Sequence, residues 1–126
     1  MSPIKSNNEA FRRLAKNPNE GPVVMLNLLK FKPGGAADYD RYSEVALPAL
    51  TKIGAKVLFI GRANELLQGD EEWDYVLLIQ YPSRKAFLQM TSDAEYLKAH
   101  EYRLKGCERA VLYATDPARY IDRNMK

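Results

Sequence analysis

Residues 23–31 read Val23-Val24-Met25-Leu26-Asn27-Leu28-Leu29-Lys30-Phe31. The β-branched start of this stretch and the Pro33-Gly34-Gly35 that follows it predict a strand. A strand with helices on one side and water on the other should alternate apolar and polar side chains. Up to Leu29 this one is apolar on both faces, and Asn27 is the single exception. Both faces of the sheet are therefore expected to be covered.

Three further stretches have the same two-sided apolar character and predict strands over 56–63, 73–81 and 108–115. Apolar spacing and capping residues predict helices over 7–16, 38–53, 83–90 and 92–104. Ser83 and a Ser92-x-x-Glu95 capping box are the predicted starts of the last two helices, and Pro48 is expected to kink the second helix.

The order of these elements is a helix followed by two β-α-β units. This order predicts an α+β, ferredoxin-like β-α-β-β-α-β fold with a four-stranded antiparallel sheet, an extra N-terminal helix and a C-terminal tail. In that tail, Tyr120 and Ile121 could still pack on the domain. We expect one domain over residues 1–126, with a core of about 22–115.

The predicted helices suffice to cover one face of the sheet only. The second face would expose an apolar patch larger than monomers usually tolerate. A second copy of the same sheet is the simplest cover, so we expect a homodimer whose sheets pack face to face as a dimeric α/β barrel. The alternative is a monomer whose apolar face binds a lipid-like ligand.

Composition narrows the function classes. The chain has 126 residues, a net charge of +3 and no block of five like charges, so neither a nucleic acid nor a membrane surface is an expected partner. One Cys and one His exclude an internal disulfide and any zinc site built from three or four such ligands. The N-terminal residues contain no apolar signal core, and a cytoplasmic location is expected.

Two strings, Leu26-Asn27-Leu28-Leu29-Lys30-Phe31 and Tyr81-Pro82-Ser83-Arg84-Lys85-Ala86-Phe87, carry a resemblance that extends over most of residues 22–115. The chain resembles an uncharacterised family of small bacterial proteins, a domain of unknown function within the dimeric α/β-barrel superfamily. The resemblance implies the dimeric ferredoxin-like barrel. Relatives elsewhere in that superfamily include cofactor-free monooxygenases, haem-degrading oxygenases and lactone isomerases, an analogy at the level of fold.

Asn27 is the sharpest candidate for a site residue. A buried amide without partners costs about 1–3 kcal/mol, so Asn27 must be satisfied either by a ligand in the barrel cavity or by a neighbouring backbone or helix. Tyr81 and Arg84 lie at the corner between a strand and a helix. A cation in the first turn of a helix opposes the helix dipole, so Arg84 needs either an acidic partner, such as Asp74, Glu95 or another surface acid, or an anionic ligand.

Tyr96, His100 and Arg103 share one face of the fourth predicted helix. A Tyr, a His and an Arg in one stripe could form an acid/base and anion-binding wall, although ordinary amphipathic packing explains most of the spacing. Tyr42 could turn its hydroxyl inward or be a core aromatic, and Trp73 could cap one end of the barrel.

Two classes of function fit these residues. The first is a small-molecule-binding dimer that acts as a cofactor-free oxygenase or isomerase on an aromatic or enolisable organic acid. Arg84, Tyr96, His100 and Arg103 would be its catalytic residues, and Asn27, Tyr42, Trp73 and Tyr81 would bind the substrate. The second is a non-catalytic binding or structural dimer. We expect no cofactor or metal, with haem ligated by His100 as a further alternative.

Overall fold

The computed structural model describes residues 4–118 of the chain. Its elements are α1 (Asn8–Lys16), β1 (Val23–Phe31), α2 (Gly35–Lys52), β2 (Lys56–Arg62), β3 (Tyr75–Tyr81), α3 (Arg84–Thr91), α4 (Ala94–Gly106) and β4 (Cys107–Thr115). Every predicted helix and strand is present, with ends that differ from the prediction by three residues or fewer. The predicted packing of Tyr120 and Ile121 falls outside the described residues.

The four strands form one antiparallel sheet in the order β2-β3-β1-β4. Because each β-α-β unit places one central and one edge strand, this order is that of a ferredoxin-like fold and confirms the predicted fold class. Asn27 lies in the middle of β1, opposite Leu77 of β3 and Leu112 of β4. A register shift between Val57 and Phe59 interrupts the pairing of the edge strand β2.

The burial of successive residues in β1 distinguishes the two surfaces of the sheet. Val23, Met25, Asn27 and Leu29 are buried, whereas the residues between them are only partly buried. The buried set packs against helices: Val23 and Met25 share a core cluster with residues of α2, α3 and α4. We call this surface the helix-facing side of the sheet.

The opposite surface, here called the outer face, is defined by residues that pair across the strands and therefore point the same way. Its apolar members are Val24, Leu26, Leu28, Phe59, Val76, Leu78, Val111 and Tyr113. Two of them are the most open, Phe59 at 53% and Tyr113 at 64% exposure. None of these side chains belongs to the buried clusters of residues 4–118. The prediction that helices cover one face only is confirmed.

Helices α2 and α4 approach each other at a pair of glycines. A Cβ atom on Gly35 would overlap the backbone carbonyl of Gly106, so neither position accepts a larger residue without movement. Gly35 is the first residue of α2, three residues before the predicted start, and Gly106 is the last residue of α4. Pro48 is accommodated inside α2.

The starts of α3 and α4 show one correct and one wrong prediction. Ser83 caps α3 as predicted, because its hydroxyl oxygen accepts from the backbone N–H of Ala86 at 3.0 Å. The Ser92-x-x-Glu95 capping box is wrong. Asp93 is the cap of α4 and accepts from the N–H of Glu95 at 2.9 Å, whereas the Ser92 hydroxyl donates to the Leu88 carbonyl at the end of α3.

Helix α1 lies beside α3 and contributes Leu14 to the core cluster. In the described part of the chain, no helix combines the length and the apolarity that crossing a bilayer requires.

Candidate functional site

A cavity of about 1090 Å³ lies between the helix-facing side of the sheet and the helices. Met25, Asn27 and Leu77 line it from the sheet, and Tyr42 and Arg103 line it from α2 and α4. The sequence hypothesis placed such a cavity inside a barrel made by two sheets. The structure places it within one chain, because the helices pack on the side of the sheet that carries Asn27.

Arg103 and Asn27 meet in this cavity. The Arg103 guanidinium donates to the Asn27 Oδ1 atom over 3.4 Å, and the two side chains are 7% and 8% exposed. Asn27 is therefore satisfied by a helix residue, which was one of the two alternatives for it. No carboxylate among residues 4–118 forms an ion pair with Arg103. The cavity thus contains a buried positive charge without a negative partner in the described structure.

Three tyrosines form the aromatic wall beside Arg103. The ring centroids of Tyr39 and Tyr42 are 5.2 Å apart, and those of Tyr42 and Tyr96 are 5.9 Å apart. The Tyr42 and Tyr96 hydroxyls share a hydrogen bond of 2.9 Å. Burial raises the pKa of Tyr39 to about 12 and that of Tyr42 well above its usual value, although the Arg103 charge acts in the opposite direction. The Tyr39 and Tyr42 hydroxyls therefore stay protonated at physiological pH.

His100 extends this wall by one ring. It stacks on Tyr96 at 5.9 Å between centroids, with 28° between the ring planes. Its Nδ1 atom is buried and has no hydrogen-bond partner within residues 4–118. Burial, and then the charge of Arg103, lower the pKa of His100. His100, which lines the cavity, is therefore a neutral imidazole.

Arg84 has the acidic partner that its position in the first turn of α3 predicts. Its NH2 nitrogen donates to both carboxylate oxygens of Asp116 at 3.0 Å, and Asn19 donates to one of them over 3.4 Å. The partner is neither Asp74 nor Glu95. Arg84 is only 6% exposed, and its Nε and NH1 atoms are buried without a partner in the described residues.

The two remaining candidates have different surroundings. Tyr81 lines the cavity and meets Phe87 edge-on at 5.0 Å, and burial raises its pKa. Trp73 does not line the cavity. It lies just before β3, where the Arg109 guanidinium sits 4.6 Å from its ring centroid. A role for Trp73 in substrate binding therefore has no geometric support.

The structure brings together all but one of the predicted site residues in one cavity. Those that line it are Asn27, Tyr42, Tyr81, Arg84, Tyr96, His100 and Arg103. The sequence did not identify Asp116 as the partner of Arg84, because the position of an acid after the last strand does not indicate which cation it will pair with. Within the described part of the chain, no group of three or more His, Cys, Asp or Glu residues could hold a metal ion. Haem ligation by His100 stays a prediction.

One family model and several solved structures are similar to this chain. The model of one family, described as Domain of unknown function (DUF1330), matches residues 28–116. No curated protein sequence matches the chain. The solved structure of RPA0582, a protein of unknown function from Rhodopseudomonas palustris, is 32% identical, with a TM-score of 0.86. That match covers 95% of this chain and all of RPA0582.

Two solved structures with lower identity share the fold. One is a dimeric ferredoxin-like protein of unknown function from Jannaschia sp. CCS1, with 11% identity and a TM-score of 0.64, covering 77% of this chain and 100% of that one. The other is SnoaB, a cofactor-independent oxygenase from Streptomyces nogalater. It has 11% identity and a TM-score of 0.58, and the match covers 80% of this chain and 97% of SnoaB. At such identity the likeness shows the fold alone.

Proposed function

We propose that this chain, which belongs to the DUF1330 family of unknown function, binds a small organic acid in the cavity between its sheet and its helices. The observation that carries the proposal is the buried Arg103 guanidinium, which meets an amide oxygen and no carboxylate in the described structure. A buried cation without a counter-charge is costly, and a bound anion removes that cost. The acid group of the ligand would therefore bind at Arg103.

The other side chains that line the cavity indicate the chemistry of the rest of the ligand. Tyr39, Tyr42 and Tyr96 present aromatic rings beside Arg103, and Met25 and Leu77 provide apolar surface from the sheet. Aromatic walls with one fixed charge favour a flat apolar body that carries a carboxylate or an enolate. An aromatic or enolisable acid fits this combination.

The same side chains support an enzymatic function. The neutral imidazole of His100 would accept the proton of a C–H bond next to the carbonyl carbon of the bound acid, and Arg103 would stabilise the enolate oxygen that forms. Asn27 and Tyr96 would orient the substrate. Isomerisation or cofactor-free oxygenation begins with such a proton transfer, and the fold shared with the oxygenase SnoaB is compatible with it. A non-catalytic carrier of the same acid is the alternative, distinguished by the absence of turnover.

Calorimetric titration with 2-naphthoate tests the binding proposal. Replacing Arg103 by Gln removes one charge-assisted hydrogen-bond donor, and we expect the affinity to fall roughly tenfold to hundredfold. Arg41→Gln is the matched control, because Arg41 lies over Tyr102 and does not line the cavity. Equal affinity of the wild type and Arg103→Gln, or equal affinity for neutral 2-naphthamide, would contradict the proposal.

We also propose that the outer face is the interface of a homodimer. Its centre is apolar on all four strands, and the helices lie on the other side. A contiguous apolar surface of this kind favours self-association through a two-fold axis. The dimeric Jannaschia protein of the same fold supports this assignment. Sedimentation should give twice the 14.4 kDa mass of one chain, and a species of 14.4 kDa would exclude the dimer.

A further inference from the structure

The cavity contains two buried arginines whose electrostatic states differ. Arg84 and Arg103 both line it and are 6% and 7% exposed. Arg84 forms an ion pair with Asp116, whereas Arg103 has no carboxylate partner among residues 4–118. The other charged residues at the cavity wall, Lys5, Arg13 and Asp40, are exposed to water. One net positive charge is therefore buried in the described structure.

The two guanidinium groups lie at different levels of the sheet. Arg103 bonds to Asn27, whereas Asp116, the partner of Arg84, follows Thr115, which pairs with Val24. Asn27 and Val24 are three strand positions apart, which corresponds to about 10 Å along β1. The partner of Arg103 and the partner of Arg84 are therefore anchored at different positions along β1.

Asp116 uses only part of the Arg84 guanidinium. Both carboxylate oxygens bind the same nitrogen, NH2, so the Nε and NH1 atoms stay buried without an acceptor in the described residues. The Asp116 side chain is 47% exposed, so this ion pair lies between the buried Arg84 and the solvent. The charge of Arg84 is thus cancelled, although two of its donors remain free.

From this arrangement we propose that the site selects monoanions over dianions, and that Asp116 sets this specificity by neutralising Arg84. This inference rests on the proposed binding of an organic acid at Arg103. A first carboxylate gains the partner that Arg103 lacks. A second carboxylate at the other end of the same ligand would be desolvated beside an arginine that Asp116 already neutralises, and it would be repelled by Asp116 itself.

Rigid ligands of one shape test the inference. We expect the wild type to bind 2-naphthoate about tenfold or more tightly than 2,6-naphthalenedicarboxylate, because the second carboxylate has no free cation. In Asp116→Asn, which keeps the size of the side chain, Arg84 regains its net charge. The preference for the monoanion should then shrink about tenfold or reverse.

A second variant separates charge from shape. Adding Arg84→Gln to Asp116→Asn removes the released cation, and this double variant should regain the wild-type preference for the monoanion. Thermal unfolding of each variant confirms that it is folded. Equal binding of the two ligands by the wild type, or an unchanged ratio in Asp116→Asn, would overturn the role of Asp116 while leaving acid binding at Arg103 intact. Failure of the wild type to bind either ligand would overturn the proposed function and this inference with it.

Discussion

The two faces of one sheet carry different side chains in this protein. The helix-facing side carries the amide of Asn27 at its centre and meets the guanidinium of Arg103 there. The outer face has leucine and valine at the corresponding places, with Leu26 between Leu78 and Tyr113. A polar group recognises a ligand most strongly where both are shielded from water. An exposed apolar surface is removed from water by any second apolar surface of matching shape. Under the two proposals above, the helix-facing side binds the ligand and the outer face forms the dimer.

The largest expected effect comes from placing a charge on the outer face. Leu26→Asp should weaken self-association roughly hundredfold or more, because the two-fold axis buries the new carboxylate twice and without a partner. Sedimentation at micromolar concentration measures the change. Leu67→Asp is the matched control, since Leu67 is 89% exposed in the loop between β2 and β3. A Leu26→Asp protein that remains dimeric would place the interface elsewhere.

A smaller effect is expected from removing the amide of Asn27 from the helix-facing side, or from introducing an amide at the neighbouring position on the outer face. Asn27→Leu removes the acceptor of Arg103, and we expect the free energy of unfolding to fall by about 1–3 kcal/mol. Added 2-naphthoate should restore part of that loss, because its carboxylate replaces the missing acceptor and ligand binding stabilises the folded state. Denaturant unfolding with and without the ligand measures both effects.

Leu28→Asn makes the reverse change at the neighbouring position, on the outer face. It should weaken the dimer and leave the affinity for 2-naphthoate unchanged. If Asn27→Leu is more stable than the wild type and binds 2-naphthoate equally well, Asn27 has no role in the site.

The two faces also show which features of the fold the pattern of residues predicts and which it does not. Period-two spacing groups Asn27 with Val23, Met25, Leu29 and Phe31, and of these only Phe31, which follows a register shift, is not buried. The two-sided apolar strands correctly predicted a sheet with one face left open by the helices. The spacing does not indicate which of the two faces of β1 the helices cover. The sequence hypothesis therefore placed Asn27 in a cavity between two sheets, whereas the cavity lies under the helices of one chain.

Contacts between distant residues were beyond the reach of the sequence. Asn27 and Arg103 are 76 positions apart, and Arg84 and Asp116 are 32 apart. Neither pair shares a helix or a strand, so no periodicity connects them. Tyr96, His100 and Arg103 were recognised as one stripe because a single helix relates them, but the cavity that makes the stripe useful depends on the packing of α2, α3 and α4 on the sheet.

The smallest expected effect is on the titration of His100, which lies one turn before Arg103 on α4. In the free protein, burial and the Arg103 charge hold the pKa of His100 below its usual value of 6.5. The folded protein then binds its proton less readily than the unfolded chain does. His100 consequently destabilises the fold as the pH falls below about 6.5 and has no effect well above it.

A carboxylate bound at Arg103 offsets one of the two causes, so bound 2-naphthoate should raise the pKa of His100 towards 6.5. The chain has a single His, so its ring-proton resonance reports this titration without ambiguity. Arg103→Gln should also raise the pKa of His100, and the ligand should then have no further effect. A resonance that titrates at 6.5 or above in the free wild type, or that does not respond to 2-naphthoate, would separate His100 from the anion site. The acid/base role would then have to move to the tyrosines, whose raised pKa values make them proton donors rather than bases at neutral pH.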